Sequence, residues 1–367
     1  MPELMQDMQE IRTLAREFAQ AELRPHTERW DHDRSIDPSI HKQIAGLGFF
    51  GMLTPEPFGG MGFDLATYAA VLEELAWGEP GVAVLVAQSA NAATLIDRHG
   101  TDAQKQQWLE ALASGAVMPC FAFAESDAGS DLSRIETRAS QEKAGWTVSG
   151  TKAWVTNPSA AGLAFVLART DNQPQLFLVP REAGWTVGAR EHTPGLRTLE
   201  IADLVLDGAQ VDQAGRLDAR ETQPSSPTGE LGRLSIAAIS VGLAQAALDH
   251  ALAYANEREQ FGTKLRHFEG LQYKLADMAV RVEAARQLTQ HAAERQEPLL
   301  MAMAKLFASE SAMWITTQAV QIFGGYGYMR DYPVEKLMRD AKAMELLEGA
   351  NELQRVYIAQ GLYERKD

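Results

Sequence analysis

CFAFAE (120–125), WTVSGTKAWVTN (146–157), LAFVLART (163–170), QLFLVP (175–180) and IADLVLDG (201–208) make up one stretch of short segments in which apolar and polar residues alternate. A period of two sends successive side chains to opposite faces, so each segment predicts a β-strand. The segments are rich in β-branched and aromatic residues, and turns such as KAGW (143–146), TDNQP (170–174) and REAGW (181–185) separate them. No helical period lies between them. The expectation is an antiparallel barrel or sandwich rather than a parallel sheet.

On both sides of this stretch the period becomes helical. Ile11, Leu14 and Phe18, then Ile40, Ile44 and Leu47, recur at helical spacing. PEPFGGMGFD (55–64) interrupts the pattern before the helical segment LATYAAVLEELAW (65–77). After the strands, TQPSSPTG (222–229) is the next break, and long helices follow to about Leu362. The fold class expected is therefore α+β, mainly α. It has an N-terminal helical domain over 1–119, a middle β domain over 120–228 and a C-terminal helical domain over 229–367.

Composition narrows the function. A net charge of −15 disfavours nucleic acid and anionic lipid as partners, because like charges repel. The longest uncharged helical run, Leu234 to Leu248, has 15 residues and falls short of the ~20 that a membrane helix needs. The single cysteine, Cys120, allows no internal disulfide and fits a reducing, cytoplasmic location. The first residues read as an acid-bearing amphipathic helix rather than a targeting segment. There is no G-x-G-x-x-G after a strand, no P-loop and no G-x-S-x-G, and the polar cluster HTERWDHD (26–33) matches no zinc spacing.

Two residues stand out chemically. Glu348 lies between Leu346-Leu347 and Gly349-Ala350, where a helix should stop at Gly349 and a new one start with Asn351 as N-cap and Gln354 in the capping-box position. With apolar and small neighbours and no adjacent cation, a buried carboxyl there would have a raised pKa and serve as a base; the alternative is a surface glutamate near a helix end. Arg258, in YANEREQFG (254–262), precedes Phe261 and Gly262. A guanidinium suits pyrophosphate and the ring suits a planar ligand, while the alternative is an arginine that meets its own helix dipole.

YANEREQFG, ESDAGSD (125–131), GTKAWVTN (150–157), QIFGGYGY (321–328) and LLEGANELQR (346–355), in that chain as a set, resemble the acyl-CoA dehydrogenase family. LEELAWGEPG (72–81) and GTDAQKQQWLEALASG (100–115) extend the likeness over nearly the whole chain. The resemblance implies an N-terminal helical domain, a middle antiparallel β-barrel and a C-terminal four-helix bundle. It also implies FAD as cofactor and α,β-dehydrogenation of an acyl-CoA thioester to the 2-enoyl-CoA.

On this resemblance Glu348 is the base that takes the α-proton, and flavin N5 accepts the β-hydrogen. Some relatives place the base at the position of Gly232, which cannot serve, and Glu230 is the nearby fallback acid. Phe121, Phe123, Ser130, Trp154 and Thr156 are implied contacts of the flavin. Arg258, Gln260, Phe261, Gln321, Gly324 and Gly325 are implied contacts of the FAD of a neighbouring subunit. Ser130, Arg233 and Gly349 are implied substrate contacts. The expected partners are acyl-CoA, an electron-transfer flavoprotein and further copies of the chain, as a homodimer or homotetramer. Ala124, Ala350, Glu352, Glu269 and Leu347 depart from the family pattern and put the grip on FAD in doubt. Two alternatives follow: a flavin-dependent oxidase or monooxygenase on the same fold, and a non-enzymatic acyl-CoA-binding homologue.

Overall fold

A computed structural model of the protein describes residues 2–171, 173–218 and 228–364. Residues 222–227 of the expected break TQPSSPTG lie outside the described residues, as does Asn172 of the TDNQP turn.

Six helices open the chain: α1 (Pro2–Phe18), α2 (Thr27–Asp33), α3 (Pro38–Gly46), α4 (Leu65–Gly78), α5 (Pro80–His99) and α6 (Asp102–Ala113). Their starts are written in the sequence. The Asp37 and Asp64 carboxylates accept the backbone N–H of Ser39 at 2.9 Å and of Thr67 at 2.7 Å, and Thr101 with Gln104 closes a capping box. Phe18, Ile40 and Ile44 join the core as their spacing predicts, whereas Leu14 stays exposed.

The strands are β1 (Pro119–Ala122), β2 (Arg138–Gln141), β3 (Gly145–Thr156), β4 (Leu163–Thr170), β5 (Gln173–Pro180), β6 (Thr186–Arg190), β7 (Ile201–Asp212) and β8 (Arg216–Leu217). They form one sheet in the order β6-β7-β3-β2-β4-β5-β8, with β1 also paired to β4. This corrects the expectation of an antiparallel barrel in two ways. The sheet is open, since its path ends at β6 and at β8. It is also mixed, because β1 and β2 both run parallel to β4. Between β1 and β2 the chain leaves the sheet, loops through residues 123–137 and re-enters in the same direction. Alternation within a strand carries no information about such a pairing.

The rest is helical apart from a small hairpin: α7 (Gly229–Glu257), β9 (Glu259–Gln260), β10 (Thr263–Lys264), α8 (Glu269–Arg295), α9 (Pro298–Phe323), α10 (Pro333–Met344) and α11 (Asn351–Glu364). Among the described residues α7 is the one helix long and apolar enough to cross a membrane, but 94% of its most apolar window is buried inside the protein. Its 29 residues exceed the run read from the sequence, so burial rather than shortness makes it a core helix. It packs on α4, α8, α9 and α10.

A buried ion cluster joins helices α5 and α10 to the loop before β7. Lys336 on α10 pairs with Asp340 at 2.6 Å and with Glu79, ahead of α5, at 2.9 Å. Asp340 in turn accepts the Leu196 N–H at 2.6 Å, and Thr198 donates to Glu79 at 3.2 Å. The two carboxylates hold the Lys336 ammonium in its charged form against the desolvation that opposes it. Replacing Lys336 by Met leaves two acidic groups facing each other without a cation. Breaking a buried pair in this way costs about 3–5 kcal/mol, so a markedly lower melting temperature is expected. An unchanged thermal unfolding curve for Lys336→Met would show that the cluster does not hold the three regions together.

Candidate active site

Strand β3 is where the first group of site residues is built. Its pairing with β7 shifts between Lys152 and Val155, and the bulge puts Trp154 at a φ of 57° with its indole 55% exposed. A Cβ on Gly129 would stand 3.9 Å from that indole, so the loop bearing Ser130 runs along its edge. Ser130 is exposed, and Thr156 is half-buried at the end of β3 opposite Ile201. Phe121 on β1 and Phe123 just beyond it are half-buried, their rings 5.4 Å apart.

The loop is tied down by a residue that sequence reading passed over. Lys152 is buried, and its Nζ donates to Glu125 Oε1 at 2.7 Å and to the Phe123 carbonyl at 2.9 Å. Glu125 also accepts the backbone N–H groups of Glu136 at 2.6 Å and Thr137 at 3.0 Å. Burial pushes the Lys152 ammonium down to about 8, partly offset by Glu125. A signal was present: Trp146, Val148 and Lys152 share the same parity along β3, which marks Lys152 as an inward-facing lysine.

Glu348 sits in the turn between α10 and α11. Gly349 takes a φ of 87° as expected, but Glu348 is itself left-handed at 54°. The expected capping box does not form. Asn351 is the first residue of α11 and turns its side chain inward to Lys305 and Ser309. Gln354 donates instead to the carbonyls of Gly349 at 3.0 Å and Glu348 at 3.4 Å. The turn thus satisfies its carbonyls with side chains.

The Glu348 carboxyl lies against the first turn of α7. Thr228 donates its hydroxyl to Oε2. A Cβ at Gly232 would come within 2.3 Å of Oε2 and 2.7 Å of Thr228 Oγ1, so only glycine leaves room for the group. Burial pushes its pKa upward, as expected. The Thr228 hydrogen bond and the charges of Lys305 and Arg233 pull it back. Those cations correct the expectation of no adjacent positive charge: both are distant in sequence and reach the turn through α9 and α7. Arg233 is buried, with its guanidinium 4.5 Å from the Tyr357 ring centroid, and is not a solvated helix-start residue. Glu230 is half-buried in the same turn of α7.

The second group of residues gathers at the other end of α7. Arg258 caps the helix and lies 5.2 Å from the Tyr326 ring centroid. Phe261 and Gly262, with φ of 55° and 78°, form the two-residue turn between β9 and β10, and Phe261 is 95% exposed. Gln260 is exposed on β9. Gln321, Gly324 and Gly325 are exposed where α9 ends, and nothing lies within 4 Å of a Cβ built on either glycine. Stacking of Tyr254 on Phe323, with centroids 4.0 Å apart, brings the two helix ends together.

The structure thus keeps Glu348 and Arg258 apart. From Gly232 to Arg258 along a helix rising ~1.5 Å per residue is about 39 Å. Within one chain the Glu348 group and the Arg258 group are at opposite ends of α7.

The chain matches three family profiles: acyl-CoA dehydrogenase N-terminal domain over residues 5–116, middle domain over 120–209 and C-terminal domain over 228–363. It is 39% identical to a probable acyl-CoA dehydrogenase of Bacillus subtilis, covering 98% of this chain and 99% of that one. It is 38% identical to the mitochondrial short-chain specific acyl-CoA dehydrogenase of Sus scrofa, covering 97% and 90%. Butyryl-CoA dehydrogenase from Megasphaera elsdenii superimposes with a TM-score of 0.94 at 34% identity, over 97% of this chain and 98% of that one. The chain belongs to the acyl-CoA dehydrogenase family. It is an FAD-dependent oxidoreductase that acts on acyl-CoA by α,β-dehydrogenation.

The raised pKa of Glu348 carries a stability cost. A carboxyl whose pKa is higher folded than unfolded stabilises the fold when protonated, and that contribution is lost as pH rises through the folded value. Glu348→Gln removes the loss. Its melting temperature at pH 7 to 8 should exceed that of wild type. The advantage should fade as pH falls and vanish below the ordinary glutamate value of 4.5. Equal melting curves for the two proteins across this range would contradict the assigned shift.

Proposed function

We propose that Glu348 is the base that removes the α-proton of the acyl thioester. The observation carrying this reading is its carboxyl, desolvated against α7 in space that Gly232 leaves open. Desolvation raises the basicity of the carboxylate, which favours proton abstraction near neutral pH. As the proton leaves, charge builds on the thioester oxygen. No backbone carbonyl among the described residues takes the Glu348 N–H, which leaves that donor for this oxygen.

The surroundings fit a flavin. An exposed indole on a bulged strand, beside a loop held by a buried ion pair, offers a flat apolar wall that would otherwise be an unfavourable surface. Trp154, Thr156, Phe121, Phe123 and Ser130 would hold its ring system. Arg258, Gln260, Phe261, Gln321, Gly324 and Gly325 would hold the adenosine diphosphate part, with bare glycine backbone at the open helix end. Bound FAD supplies the two-electron acceptor for the β-hydrogen. Arg233, Ser130 and Gly349 would orient the acyl-CoA. Ala124, Ala350 and Leu347 supply no hydroxyl there. Glu269 is exposed, with a hydrogen bond from Tyr273, and Glu352 lies in the first turn of α11, where helix polarity favours an acid.

Similarity to the short-chain and butyryl-CoA enzymes supports a short acyl chain as substrate. A solved structure from work on the electron transferring flavoprotein of Acidaminococcus fermentans matches with a TM-score of 0.94 at 35% identity, which supports such a flavoprotein as electron acceptor. The same reading includes domain boundaries near 119 and 228. It also includes a reducing, cytoplasmic setting, for which the buried free Cys120 is the support.

Glu348→Gln should retain FAD and lose turnover with a butyryl-CoA-class substrate by about 10²–10⁴-fold in kcat, the range of a general base. Turnover within a few-fold of wild type, in flavin-loaded protein, would remove Glu348 from the role. The 39 Å separation predicts that each site takes Glu348 from one copy and Arg258 from another. Co-expressed Glu348→Gln and Arg258→Ala chains should then recover activity that neither shows alone, because one site of each mixed dimer is intact. No recovery in purified mixed oligomers would place both groups in one chain's site.

A further inference from the structure

Lys305 has no part in the function proposed above, yet it is fully buried beneath the turn that carries Glu348. It lies on the core-facing side of α9 with Met301, Ala304 and Ala308. Its Nζ donates to the carbonyl of Gly349 at 2.9 Å, to that of Glu345 at 3.2 Å and to Asn351 Oδ1 at 2.7 Å. Glu345, Gly349 and Asn351 bracket Glu348 on both sides. Ser309, one turn further along α9, exchanges hydrogen bonds with Asn351 at 3.0 and 3.1 Å and locks the same contact.

A buried ammonium held only by neutral acceptors is costly to keep, so it is kept where its charge or its geometry serves something. The charged groups that face Nζ are Glu348 and Glu345 from the turn, Glu352 from α11 and Arg233 from α7. Glu345 is paired at the surface with Lys342, and Glu352 is exposed. Among these carboxyls, Glu348 is the one that meets the ammonium in a poorly solvated setting. Burial lowers the Lys305 pKa to about 8, and Glu348 is the first of the charges that oppose this.

We propose that Lys305 is the positioning residue of the base: its ammonium clamps the left-handed turn that aims Glu348. Its charge also favours the ionised carboxylate. The proposal rests on Glu348 being the base. In flavin-loaded enzyme, Lys305→Met should lower kcat by about 10–100-fold while KM for acyl-CoA stays within about twofold. The acidic limb of the kcat/KM–pH profile should move up by about one unit, because the cation that favours carboxylate is gone. Amide exchange over residues 345–351 should quicken.

Asn351→Asp is the second arm. It keeps the side-chain shape and the acceptor for Nζ, puts a carboxylate next to Nζ and neutralises the ammonium, and gives up only the Nδ2 hydrogen bond to Ser309. It should shift the acidic limb in the same direction, with amide exchange unchanged, and it decides the matter if Lys305→Met does not fold. An acidic limb unmoved in Asn351→Asp overturns the electrostatic role. A wild-type kcat in folded Lys305→Met overturns the positioning role. Failure of the underlying reading is distinguishable, since then Glu348→Gln itself would keep its turnover.

Discussion

Helix α7 has to be covered on every side, and that requirement organises the protein. Its row of Gly, Ala and Ser residues permits close approach by other helices; at Gly242 an added Cβ would meet the Glu73 carbonyl at 2.0 Å. Because α4, α8, α9 and α10 all pack on it, the positions of its two ends are set by the whole core rather than by local contacts. The Glu348 carboxyl lies against one end and the exposed Arg258 hairpin follows the other. Within one chain these two groups therefore lie about 39 Å apart.

At the Glu348 end, electrostatic effects oppose one another and burial prevails. Burial favours the neutral acid, while a hydroxyl hydrogen bond and two cations favour the carboxylate. In low dielectric each effect is larger than in water, so the balance depends on geometry. That geometry is over-determined: Gln354 and Lys305 hold the turn's carbonyls, and the Lys336 cluster holds α10, from which the turn springs. The strained backbone at Glu348 fits this picture, since a left-handed non-glycine residue persists where its surroundings enforce it.

Much of this was legible in the chain. Alternation between residues 120 and 208 identified five of the sheet's eight strands and missed β2, β6 and β8, helical spacing identified the flanking elements, and Gly349 marked the turn beside Glu348. Motif spacing was enough to reach the family. The sheet's closure and strand directions were not legible, because side-chain alternation is the same in parallel, antiparallel, open and closed sheets. Lys305 and Thr228 were missed for a related reason: one is a lysine in an apolar helix and the other borders a Pro/Ser break, and neither position reveals its partner.

What the sequence by itself determined is everything that depends on neighbours along the chain: where elements start and stop, which face of each is apolar, and which carboxyl sits at a glycine turn. Tertiary structure decided how that carboxyl behaves. Its basicity depends on water being removed by α7, on the gap left at Gly232 and on charges from Lys305 and Arg233. Those groups are far apart in sequence and act through space, so their sum exists only once the helices have packed.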